Sequence, residues 1–187
     1  MLTYYSFIHQ SIPNLMKAFF LTTMIAGFML FFTNGTQAQT IDAKLNQVEL
    51  MKQFIGTWTL IKCVAIQQYG EITFPYGEKP IGQILYDTKG NMMVEIMNQE
   101  IKKFNNENPF QGIPEEIIPA YNGFLAYYGT YNILADSNLI IHNIKACSFP
   151  NWVGQNQKRR FEFENNKLIL TTPAISSVQF ELTWEKN

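Results

Sequence analysis

Two adjacent arginines, Arg159 and Arg160, open a run that alternates apolar and charged residues, with Trp152 and a Pro-Asn turn just ahead of them. A guanidinium is a permanent cation with a rigid fork of donors, so its chemistry is the recognition of anionic or strongly accepting oxygens. Along an extended segment, successive side chains point to opposite faces. Phe161 and Phe163 mark the apolar face of "QKRRFEFE". Counting back by twos puts Arg159 and Gln157 on that face and leaves Arg160, Glu162 and Glu164 in water. The same parity in "NLIIHNIKAC" places His142 beside Ile140, Ile144 and Ala146. In "VQFELTWE", Val178, Phe180, Leu182 and Trp184 face inward, opposite Gln179, Glu181, Thr183 and Glu185.

One guanidinium and one imidazole turned into an apolar interior can serve a ligand or satisfy the core. A mostly apolar cavity with a few convergent polar groups is the usual form of a small-molecule site. On that reading the candidate ligand-binding residues are His142, Arg159, Trp152, Tyr86, Phe161 and Trp184. The structural alternatives are a cation–π contact that lays Arg159 over a ring such as Trp58, a core His142 bonded to a tyrosine or a carbonyl, and Trp152 as a loop plug. A catalytic alternative would use His142 as general acid–base and Arg159 or a tyrosine to hold an oxyanion. The interior supplies neither a second carboxylate nor a nucleophile–base pair, so no catalytic residue is assigned. With two cysteines and two histidines in 187 residues, no metal site and no cofactor are expected.

These side chains need strands to aim them. Asp42 to Phe54 reads as a short helix with an apolar three-to-four spacing, ended by Gly56. Strands are expected at Thr57–Ile66, Gly82–Tyr86, Asn91–Met97, Phe124–Ile133, Asn138–Cys147, Lys158–Glu164, Lys167–Thr172 and Val178–Glu185, with "TFPYGEKP" extended. Lys62 shares the parity of Trp58, Leu60, Val64 and Ile66, which predicts a bulge in the first strand. The inner face of Phe124–Ile133 stays undecided between the Tyr127, Gly129, Tyr131, Ile133 set and the Ala126, Tyr128, Thr130 set. Residues 99–120 read as an excursion carrying a short helix, a lid over one end. Hairpin-linked strands in this number, about eight or nine, predict an all-β, up-and-down antiparallel sheet after a short N-terminal helix, either closed into a barrel, the expected form, or packed as a sandwich. Closure removes exposed edges.

The totals limit the function. A formal charge of −1, with Lys158-Arg159-Arg160 the one basic run, excludes a nucleic-acid footprint. Lys17, the apolar run Ala18 to Phe32 and the small and polar residues after it have the layout of a secretory signal. Cleavage is expected after Ala38, with no membrane span after removal; an uncleaved anchor is the alternative, and Met16 is a second candidate start. The expected organisation is a signal over 1–38, a helical lead-in over 39–55 and one barrel domain over 56–187. Localisation is then periplasmic or secreted. Cys63 and Cys147 lie in strands not expected to be neighbours, which favours buried thiols over a disulfide. Nothing in the sequence sets an oligomeric state.

The order of "GTWTL", "FPYGEKPIGQILYDTKGNMMVEIM", "AYYGTY", "SFPNWVGQNQKRRFEFENNKLILTTP" and a final "LTWEK" resembles the bacterial and fungal lipocalin-like domain family over Phe54 to Glu185. "LILTTP", Cys147 and the long 99–120 excursion depart from its pattern. The resemblance implies a lipocalin-like barrel with a central cavity and a small hydrophobic ligand as partner. It carries over no catalytic set, and the fold alone does not assign chemistry. A filled, purely structural barrel is the third alternative.

Overall fold

A computed structural model describes residues 44–187. The signal reading, the cut after Ala38 and the expected start of the helix at Asp42 lie outside the described residues. A helix, α1, covers described residues 44–54 and is followed by β1, Gly56–Gln67. Then come β2 (Ile72–Thr73), β3 (Pro80–Tyr86), β4 (Asn91–Asn98), helix α2 (Pro114–Asn122), β5 (Phe124–Leu134), β6 (Leu139–Cys147), β7 (Asn156–Glu164), β8 (Lys167–Thr171) and β9 (Val178–Lys186). Every strand from β4 to β9 pairs antiparallel with its predecessor in that series, and β1 pairs with both β3 and β9. The up-and-down sheet is therefore a closed barrel of β1 and β3–β9, with two-residue β2 hung on β1. Closure satisfies the backbone groups that an edge would leave open.

Phe54, from the last turn of α1, is fully buried and meets Tyr86, Phe161 and Phe163 edge-on at centroid distances of 5.5, 5.0 and 4.8 Å. The Trp58 indole N–H donates to the Phe54 carbonyl at 2.8 Å. That bond satisfies an acceptor at the helix end that has no partner within the helix. Lys186 lays its ammonium over the Trp58 ring at 4.9 Å and donates to the Gln53 carbonyl. Phe54 and these rings fill this end of the barrel.

Two bulges set which residues look inward. In β1 the register against β9 shifts between Leu60 and Lys62, so Trp58 and Leu60 are buried before the bulge and Cys63 and Ala65 after it. The second lies between β5 and β6, where Tyr128 pairs with Ala146 but Gly129 pairs with Ile144, leaving Lys145 as the extra residue. Sequence alternation puts Ala146 on the inner face. The bulge reverses that, and Cys147, opposite Tyr127, packs on the core instead. It also decides the β5 face: Tyr127, Tyr131 and Ile133 are buried. Both cysteines are free thiols. Among the described residues no helix is long and apolar enough to cross a membrane.

Candidate functional site: a cavity with a donor-rich wall

The half of the barrel away from Phe54 is not filled. A cavity of about 290 Å³ lies there. β4 contributes Val94 and Ile96 to its wall, β8 and its extension Leu170 and Thr172, and β9 Phe180, Leu182 and Trp184. Tyr121 and Asn122 from the end of α2 form part of the wall, as do Phe149 and Trp152 from the turn after β6. The 99–120 excursion thus carries the expected helix, and that helix runs past it to Asn122 at the cavity. Glu116 anchors the excursion, accepting from the Asn105 backbone and side-chain amides at 2.9 and 2.8 Å.

Of the candidates read from the sequence, Arg159, Trp152 and Trp184 line the cavity. Arg159 is 6% exposed. Its guanidinium stacks on Trp152, 5.8 Å from the ring centroid, and not on Trp58. It donates to the Lys158 carbonyl at 2.8 Å, reaches Gln157 at 3.5 Å and acts on the Tyr127 hydroxyl. None of these partners is a carboxylate. A guanidinium so far from water is costly unless charge or hydrogen bonds compensate it.

His142, Tyr86 and Phe161 are not in the cavity wall. Parity gave their face correctly, but not their depth along the barrel axis. Phe161 packs against Phe54. His142 is fully buried, with Nε2 2.9 Å from the Tyr86 hydroxyl and Nδ1 3.1 Å from the Tyr127 hydroxyl. Burial, aided by the Arg159 charge, holds the imidazole well below its ordinary pKa, so it is neutral. Burial likewise raises the Tyr86 phenol. It raises Tyr127 too, against the opposing pull of Arg159. A polar layer thus crosses the barrel from Tyr86 through His142 to Tyr127 and Arg159, between the aromatic plug and the cavity. Tyr127, which the sequence left undecided, joins Arg159 as a member of this layer at the cavity wall. Gly129, two residues on, was the available signal: a residue without a side chain in a strand marks a bulge or a close backbone approach.

A family model described as a lipocalin-like domain matches residues 55–187. The chain belongs to the lipocalin-like domain family. The lipocalin-like barrel is also 27% identical over 106 residues to the 4'-hydroxy-3'-methoxypropiophenone carrier protein ppsC of Aspergillus oryzae, an alignment covering 51% of this chain and 96% of that relative. Among solved structures, a mutant of the fluorescent protein UnaG is 15% identical, with 72% of this chain and 96% of that one covered at a TM-score of 0.35. A redesigned β-barrel is 8% identical, with 73% and 94% covered at a TM-score of 0.38.

Proposed function

We propose that the protein is an exported carrier that holds one small, ring-sized hydrophobic ligand in the barrel cavity. The observation that carries this reading is the 290 Å³ void, walled by aromatic and aliphatic side chains around a buried arginine. A packed core leaves few voids larger than a water. An apolar cavity of about 150 Å³ accepts benzene, so this larger space suits a substituted single ring. The relative whose name specifies a one-ring aromatic ketone as cargo supports the size class. Export rests on Lys17 and the apolar run Ala18 to Phe32.

Magnitudes favour shared work between the apolar wall and its polar end. Burying one aromatic ring of about 150–250 Å² at about 25 cal/mol per Å² yields about 4–6 kcal/mol. Alone that corresponds to a Kd from about 1 mM to some tens of µM. One or two hydrogen bonds from charged or buried donors, at about 1.5–3 kcal/mol for a charged one, bring it to about the micromolar range.

One experiment covers both parts. The full chain is expressed in a bacterial host, recovered from the periplasm, and its N-terminus read by mass spectrometry. The recovered protein is then titrated with one-ring aromatics and with palmitate while its tryptophan fluorescence is followed. A chain starting after Ala38, saturable quenching by the aromatics and none by palmitate are expected. Retention in the cytosol at full length would remove the export part. The absence of saturable quenching by any one-ring compound would remove the carrier part.

A further inference from the structure

The hydrogens of the polar layer have a direction. Tyr86 is buried, and its hydroxyl has one partner, His142 Nε2. If Nε2 carried the imidazole proton, it would donate to Tyr86, and the Tyr86 hydrogen would lie in an apolar core with no acceptor. An unmade buried hydrogen bond is the more expensive arrangement. Tyr86 therefore donates to Nε2, and the neutral ring bears its proton on Nδ1. Nδ1–H then donates to the Tyr127 oxygen. Arg159, the other group acting on that hydroxyl, can only donate. The Tyr127 hydrogen is thus left with no acceptor among the described residues, at the wall of the cavity. Tyr131 shows the contrast, since its hydroxyl donates to the Asp87 carbonyl at 2.9 Å.

A second observation is independent of this chain of bonds. Trp184 is 1% exposed and its ring lines the same cavity, while its indole N–H is itself buried and has no partner among the described residues. Trp58 has the Phe54 carbonyl for the same purpose. Of the side-chain oxygens in the wall, Ser148 accepts from the Ala126 amide and Thr172 from the Phe180 amide, and Tyr76, Tyr121 and Asn122 bring neutral ones. Among the described residues no aspartate or glutamate lines the cavity. The wall therefore offers the Tyr127 hydrogen and the Arg159 guanidinium, and lacks the anion that would complement them.

We propose that the cargo is a compact aromatic carboxylate, bound through the Tyr127 hydroxyl hydrogen and the Arg159 guanidinium, with His142 as the positioning residue that turns that hydrogen toward the cavity. The inference rests on the carrier reading and adds the ligand's charge to it. The anion supplies the counter-charge that Arg159 lacks, and the apolar wall takes its ring.

The test uses trans-cinnamate and its neutral methyl ester on the full chain, at equal ionic strength. Cinnamate should bind at least tenfold more tightly than the ester. Tyr127→Phe should weaken cinnamate about tenfold and change the ester less than twofold, with a single cooperative thermal transition, at a midpoint lowered by the lost His142 bond, as the check on folding. The ring ¹⁵N spectrum of His142 reads its tautomer without any variant, and a protonated Nδ1 with a bare Nε2 is expected. Equal affinity for acid and ester overturns the proposal and leaves the carrier reading standing. A protonated Nε2 overturns the assigned direction of the bonds. No binding of either compound overturns the proposal together with the carrier reading.

Discussion

His142 is kept neutral between two phenols, and that has a consequence for stability against acid. Its folded-state pKa lies well below the ordinary 6.5, with burial the main cause. Once pH falls below about 6.5, the unfolded chain binds a proton that the folded chain refuses. Stability from this group is complete above pH 6.5 and declines as pH drops toward the folded value, by up to about 1.4 kcal/mol per pH unit. Asp87 acts in a different window: the Asn91 side chain and backbone hold its carboxyl below the ordinary 3.8, so its contribution persists above that value and is lost in stronger acid. Urea midpoints measured at about pH 7.5, 6.5 and 5.5 should be level over the first interval and fall over the second. A level profile throughout would mean that His142 titrates in the folded barrel as it does in a free chain. Cys63, by comparison, has its thiol pushed up to about 12 by burial, which makes it a packing group and not a nucleophile.

At the scale of elements, the β5–β6 bulge positions both polar layer and cavity wall. It puts Tyr127 opposite Cys147 and Tyr131 opposite His142, so both tyrosines and His142 face the interior across one irregularity. Gly129 permits it. A Cβ there would collide with the Asn143 carbonyl, a backbone group that cannot rotate away. Gly129→Ala should therefore destabilise the barrel by about 2–3 kcal/mol, as overpacking against fixed atoms does. Urea denaturation checks it, and a loss under about 1 kcal/mol would show that the β6 backbone yields. The β1 bulge acts in the same way on the opposite wall. It brings Cys63 to the cavity while Lys62 stays in water.

At the scale of the whole barrel, the two ends divide the work. The Phe54 end is dense with rings, and the other end gives up contacts to keep a void. Wall atoms facing empty space have no dispersion partners on that side, and a cavity lowers stability in proportion to its volume. Filling it should reverse this. Leu182→Phe, on β9 in the cavity wall, should raise the thermal midpoint by several degrees, at about 2–8 °C per kcal/mol for domains of this size range. The same variant should weaken cinnamate at least tenfold. An unchanged affinity with a raised midpoint would place the ligand elsewhere on the barrel.

Local pattern was sufficient for much of this molecule. Two-residue alternation with turn residues at short intervals specified antiparallel strands, a three-to-four spacing specified the short helix, and the family resemblance pointed to barrel closure. The alternation also gave the inward direction of Arg159, His142 and Trp184, because a strand allows each side chain only two faces. It could not place a residue along the barrel axis, since parity carries no information about depth. Arg159 and Trp184 therefore reached the cavity, while His142, Tyr86 and Phe161 fell in the layers beneath it. Nor could it register the extra residue at Lys145, which turns Cys147 inward in place of Ala146. The cavity, the stacking of Arg159 on Trp152 and the proton order through His142 exist only once distant strands are paired, because each depends on groups far apart in the chain.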